Sequence, residues 1–219
     1  MNCSPSRHAA RFFLSAAALL GAFSAQAQYT QFTTGSVEVR AFLARNSVTV
    51  YAASYGGGLY SSANGGSTWQ RVDLPANERY LTSLAGNNTT TIVVAGEEGL
   101  LTTTNGTTWT KRLFEPVQAV AMGAGASTTV IAGVKGLGIL RSTNSGATFA
   151  QADNGDFLGT DVIALAEDPT NAAIFYAAVK PDGAGNRGGV YKSTDGGQNW
   201  SITAAIPNAA NRPHVFGLK

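Results

Sequence analysis

Acidic side chains crowd one stretch of the chain: Asp153, Asp156, Asp161, Glu167, Asp168 and Asp182. Two carboxylates about 5 to 10 Å apart, one protonated and one ionised, are what cleavage of a glycosidic bond requires. The spacing here singles out no such pair, and acids in polar loops are ordinarily solvated. Composition argues against nucleophilic catalysis of the Ser-His-Asp kind. The only histidines are His8 and His214, and there is no G-x-S-x-G elbow. No histidine–carboxylate cluster points to a metal. The run Gly183 to Gly188 spells G-x-G-x-x-G, but it leads into Val190-Tyr191-Lys192, a β-forming run. A dinucleotide site needs a helix N-terminus there to hold the pyrophosphate. The residues therefore imply no catalytic set, no metal and no cofactor.

What does recur is a turn. Gly58-Leu59-Tyr60-Ser61-Ser62-Ala63-Asn64-Gly65-Gly66-Ser67-Thr68-Trp69 is repeated at Gly99 to Trp109, at Gly138 to Phe149 and at Gly189 to Trp200. The closing aromatics Trp69, Trp109, Phe149 and Trp200 lie 40, 40 and 51 residues apart. A self-similar unit of about 40 to 50 residues is the sequence signature of a β-propeller blade. Within each copy the chemistry is conformational. Asn64, Asn144 and Asp195 can accept hydrogen bonds from backbone N–H groups just ahead of them. Gly66, Gly106, Gly146 and Gly197 supply a position where positive φ is cheap.

Four short β-runs surround each turn. The first unit reads Ser36–Leu43, Ser47–Ala53, Leu59–Ser62 and Trp69–Val72, and the same order repeats three times. No stretch has a sustained 3.6-residue apolar period with caps at both ends. The expected fold is all-β, a propeller of four-stranded antiparallel blades at about 36–75, 80–115, 117–152 and 161–205. A partial fifth unit is expected at 213–219.

The repeated turn resembles the Asp-box, or BNR repeat, whose pattern is S-x-D-x-G-x-T-W. The residues that carry the resemblance are Ser62, Asn64, Gly66 and Trp69; Gly106 and Trp109; Ser142, Asn144, Gly146 and Phe149; and Ser193, Asp195, Gly197 and Trp200. The second copy departs most: Thr104 stands where the acid is expected, with Asn105 beside it. Asp-box propellers include sialidases, xyloglucanases, sortilin-type receptor domains and assembly factors of the Ycf48 type. The resemblance implies a fold and a structural turn set away from any active site. The arginine triad and Arg-Ile-Pro motif of sialidases have no counterpart here.

Topology points to a binding face. In an up-and-down blade with strands a to d, the a–b and c–d turns share one face, and the b–c loops and d–a connections share the other. The extra residues of the long fourth unit fall in one d–a connection, 153–161, and one b–c loop, 180–188. Insertions confined to one face of a repeat array mark a binding face. Asp153, Asp156, Phe157, Asp161, Asp182, Asn186 and Arg187 are the expected ligand contacts.

The first 27 residues read as a secretory signal. Arg7 and Arg11 precede an apolar run, Phe12 to Phe23, and Ala25-Gln26-Ala27 offers a cleavage site. The run is too short to span a bilayer, which takes about 20 residues. The expected location is secreted or periplasmic, with a leader at 28–35 before the propeller. Removing the signal takes two of the 15 basic residues and leaves 13 against 13 acidic ones. A neutral chain has no field to draw in nucleic acid. The single cysteine, Cys3, lies in the signal. The expected function is non-catalytic binding of a protein or carbohydrate ligand, with glycoside hydrolysis or assembly of a membrane complex as the alternatives. So few units imply a small closed ring, an open arc completed by a second copy or a piece of a longer propeller, and an open arc's uncovered sheet faces would invite self-association.

Overall fold

The computed structural model describes residues 37–75, 78–87, 90–152, 157–180 and 188–203. The expected signal, leader and partial fifth unit lie outside them. Among the described residues all regular structure is β apart from a 3-10 position at Pro75. The first sheet holds β1 (Glu38–Ala44), β2 (Val50–Tyr55), β3 (Gly58–Ser62) and β4 (Gln70–Val72). The second holds β5 (Leu81–Gly86), β6 (Ile92–Gly96), β7 (Gly99–Thr103) and β8 (Thr110–Leu113). The third holds β9 (Val117–Met122), β10 (Val130–Val134), β11 (Gly138–Ser142) and β12 (Ala150–Gln151). The fourth holds β13 (Asp161–Asp168), β14 (Asn171–Lys180), β15 (Gly189–Ser193) and β16 (Ser201–Ile202). Strands are hydrogen-bonded in chain order and antiparallel throughout each sheet. These are propeller blades.

Three apolar seams join the blades in a row. Ala53 and Leu59 of the first blade meet Leu81, Leu84, Val94 and Trp109 of the second. Val93, Ala95 and Leu100 of the second meet Val120, Met122 and Ala132 of the third. Ile131 and Ile139 of the third meet Val162, Leu165 and Phe175 of the fourth. Burial follows from this stacking. Both β6 and β10 are buried at every residue because a blade covers each of their faces. By contrast β1 alternates between exposed and half-buried, as a sheet covered on one side must. At Gly133 the blades come so close that a Cβ would lie 2.8 Å from Val162 Cβ, so only glycine fits without displacement.

Each innermost strand is also bent at its start. Pairing of strands a and b skips Arg40, Thr82, Gln118 and Ile163 in the four blades. A one-residue bulge sharpens local twist, and its repetition at one place per blade curves every inner strand alike. Nothing in residue type announces these four bulges.

Candidate functional site

The c–d turns are closed units. In the first, Ser62 Oγ donates to Asn64 Oδ1 (2.9 Å) and accepts the Gly66 N–H (2.8 Å). Asn64 Oδ1 also accepts the Thr68 N–H at 2.9 Å, and Asn64 Nδ2 donates to Thr68 Oγ1 at 2.8 Å. The third turn repeats this with Ser142, Asn144, Gly146 and Thr148. In the fourth, Asp195 replaces asparagine and takes N–H bonds from Gln198 and Asn199, with Asn199 Nδ2 on its second oxygen at 2.7 Å. Burial raises the Asp195 pKa, but the donors from Asn199, Ser193 and Gln198 outweigh it and hold the carboxyl at about 2.

The second turn corrects the register read from sequence. Asn105, not Thr104, takes the acceptor position: its Oδ1 receives the Thr107 and Thr108 N–H groups at 3.0 and 2.8 Å. Thr103 Oγ1 plays the serine part, donating to Asn105 and accepting the Gly106 N–H at 3.0 Å. The turn is one residue shorter than the other three.

The Ser/Thr and Asn/Asp side chains that build these turns bond within the turn itself. The same holds for the neighbouring a–b turn of the fourth blade, where Asp168 Oδ1 accepts from the Thr170 hydroxyl and the Thr170 and Asn171 N–H groups. Those bonds, the Thr170 hydroxyl foremost, hold the Asp168 carboxyl below its ordinary value.

The opposite face gathers the b–c loops and d–a connections. Of the expected ligand contacts, Asp153, Asp156, Asp182, Asn186 and Arg187 lie outside the described residues. Asp161 opens β13, half-buried, opposite Lys180 in the ladder. Phe157 points inward: it is 2% exposed, and its ring meets Tyr191 and Trp200 edge-on at 4.7 and 6.3 Å. It is a packing residue of the seam between the third and fourth blades. A large aromatic in a connection has more to gain from the core than from water.

Residues not singled out from the sequence also meet on this face. Glu78, from the connection between the first two blades, has a side chain 1% exposed and receives Lys111 Nζ at 2.8 Å. Glu98, in the b–c loop of the second blade, faces it. Burial raises the Glu98 pKa, and the hydrogen bond and charge of Glu78 raise it further, while Lys111 opposes. Glu78 Oε2 and Glu98 Oε2 are both buried without a hydrogen-bond partner. Two carboxyls in hydrogen-bond contact leave no room for a glycosidic bond between them, and the pair lacks the hydrolase spacing. The residues lie 20 positions apart without a motif; only the topology, which puts connection and b–c loop on one face, could have hinted at their meeting. No group of three or more metal-ligating side chains occurs among the described residues.

No family model matches the chain, and no curated protein does. Solved structures do. An ancestral GH74 enzyme superposes with a TM-score of 0.64 at 24% identity, covering 78% of this chain and 24% of that one. The GH74 xyloglucanase from Xanthomonas campestris gives 0.63 at 16%, covering 79% and 31%. The WD40 repeats of RRP9 give 0.58 at 8%, covering 77% and 52%. The chain thus spans less than a third of the GH74 structures it matches. Likeness at these identities is a likeness of fold, shared by propellers of unrelated sequence.

Proposed function

We propose that the chain is an exported, non-catalytic β-propeller of the Asp-box kind that binds a protein or carbohydrate ligand on the face of its b–c loops and d–a connections. The observation that carries this reading is the division of labour between the faces. On one, the described c–d turns spend their side-chain polar groups on their own backbone. On the other lie the half-buried Asp161 and the Glu78–Glu98–Lys111 group, and the sequence pattern assigns the two long insertions of the fourth unit to that face. Asp153, Asp156, Asp182, Asn186 and Arg187 are the contacts proposed for the ligand. The test is the double variant Asp156→Ala with Arg187→Ala, read against an array of glycans and cell-surface proteins. The wild-type chain is expected to retain a ligand that the variant loses at unchanged melting temperature. Identical array profiles for the two would end this assignment.

The shared fold with GH74 enzymes supports a second reading, hydrolysis of a glycan by this chain as part of a larger protein. Turnover of fluorogenic xyloglucan oligosaccharides that disappears in a single Asp→Asn variant would place it first.

A further inference from the structure

In three of the four c–d turns the residue after the asparagine or aspartate is left-handed: Gly65 (φ 67°), Ser145 (φ 59°) and Gly196 (φ 75°). Each uses its N–H to tie the turn to the a–b side of its own blade. The acceptors are the carbonyls of Val48, Thr128 and Ala173, all at 2.8 Å. The residue missing from the second turn is this one. Asn105 is followed directly by Gly106, whose N–H already goes to Thr103 Oγ1.

A cavity of about 250 Å³ lies at that place, between the a–b turn of the first blade and the c–d turn of the second. Its walls include Arg45, Tyr51, Thr90, Ile92, Thr104 and Gly106. Arg45 is held across the seam by Nη1, which donates to the Thr91 carbonyl at 3.3 Å. A Cβ on Gly106 would lie 3.0 Å from the Tyr51 hydroxyl, so glycine there keeps the phenol at the wall. No acidic side chain occurs among the described lining residues.

We infer that this cavity binds a small carboxylate-bearing sugar, a hexuronate. The guanidinium offers planar, charge-assisted donors suited to a carboxylate. The hydroxyls of Tyr51, Thr90 and Thr104 both donate and accept, as ring hydroxyls require. The Tyr51 ring, half-buried at the wall, gives an apolar surface for the C–H face of a pyranose. The site is on the face opposite the one proposed above for the main ligand, and neither assignment depends on the other.

The experiment is calorimetric titration of the whole chain with D-glucuronate, with D-glucose and inorganic sulfate run in parallel at low ionic strength. Glucuronate is expected to bind at least about tenfold more tightly than either, because only it engages both the cation and the hydroxyls. Arg45→Met is expected to weaken glucuronate about tenfold or more. Inserting one glycine between Asn105 and Gly106 restores the tie and is expected to abolish binding without lowering the melting temperature. Glucuronate binding that survives the insertion, or an absence of binding by the wild type, overturns the inference. Glucose binding as tightly as glucuronate removes the role of the charge, and sulfate doing so removes the sugar; either overturns it. If the insertion variant does not fold, Arg45→Met decides, and unchanged binding there is equally fatal.

Discussion

Trp69 and Trp109 close the same turn in consecutive blades and meet different fates. Trp109 is 7% exposed, packed in the seam between the first and second blades. Trp69 is only half-buried, and its ring partner Phe42, at 6.4 Å, is 64% exposed. Phe149 and Trp200, though half-buried, each pack against the seam with the blade before their own. The side-chain bonds within each turn do not differ in this way, although Arg141 of the third blade also donates to the Gly196 carbonyl in the fourth turn at 2.7 Å. Bonding within a turn is local to its blade, whereas the worth of the closing aromatic depends on a preceding blade. The burial that stabilises the fold is in the seams.

Deleting the aromatic should separate the two cases most widely. Trp109→Ala is expected to cost about 3 to 5 kcal/mol, the usual range for a buried aromatic. Trp69→Ala should cost about 1 kcal/mol or less, as expected away from a packed core. Urea unfolding followed by circular dichroism measures both; equal losses would show that another surface covers Trp69. The buried Trp109 Nε1 has no acceptor, so Trp109→Phe should retain most of the stability.

The glycines that follow test the same contrast. Gly66 and Gly197 hold equivalent positions with φ of 92° and 80°. A Cβ on Gly66 meets only its own Trp69, at 3.6 Å, but on Gly197 it would run into Ile131 Cδ1 of the preceding blade. Gly66→Ala should cost about 1 kcal/mol from backbone strain alone, and Gly197→Ala about 2 to 4 kcal/mol with overpacking added. Ser62→Ala and Ser193→Ala, by contrast, break local bonds of the same pattern and should each cost about 1 kcal/mol. A clear difference between the two serines would contradict the local character of the turn.

The smallest effects are in pH dependence, and they have opposite signs. Asp195, held at about 2 against an unfolded value near 3.9, adds stability above that unfolded value. This contribution is lost as pH falls towards 2. Asp195→Asn should therefore flatten the acid limb of a stability–pH profile, as Asn64 and Asn144 already do in their blades. Glu98 is raised when folded, so its contribution is fully present below the unfolded carboxyl value and is lost as pH rises through the folded one. Glu98→Gln should remove that decline.

Strand placement and blade number were legible because alternation and the repeated turn are properties of neighbouring residues. The register of the second turn was not, because Thr102 and Thr103 are chemically alike and only the hydrogen bonds say which acts as the serine. Phe157 was misread as a ligand contact because its neighbours are polar, while its surroundings are set by Tyr191 and Trp200, far along the chain. The Glu78–Glu98 contact was invisible for the same reason. Residues that face inward or meet across a seam are chosen by packing, which local pattern does not encode.

The position of the closing aromatics gives the row of blades a polarity. If the fourth blade unravels, Trp200 leaves with it, and the third is left with an aliphatic surface of Ile131 and Ile139. If the first blade unravels, Trp109 is left behind in water. Fraying should therefore begin at the fourth blade, and amide hydrogen exchange should find its outer strands the least protected.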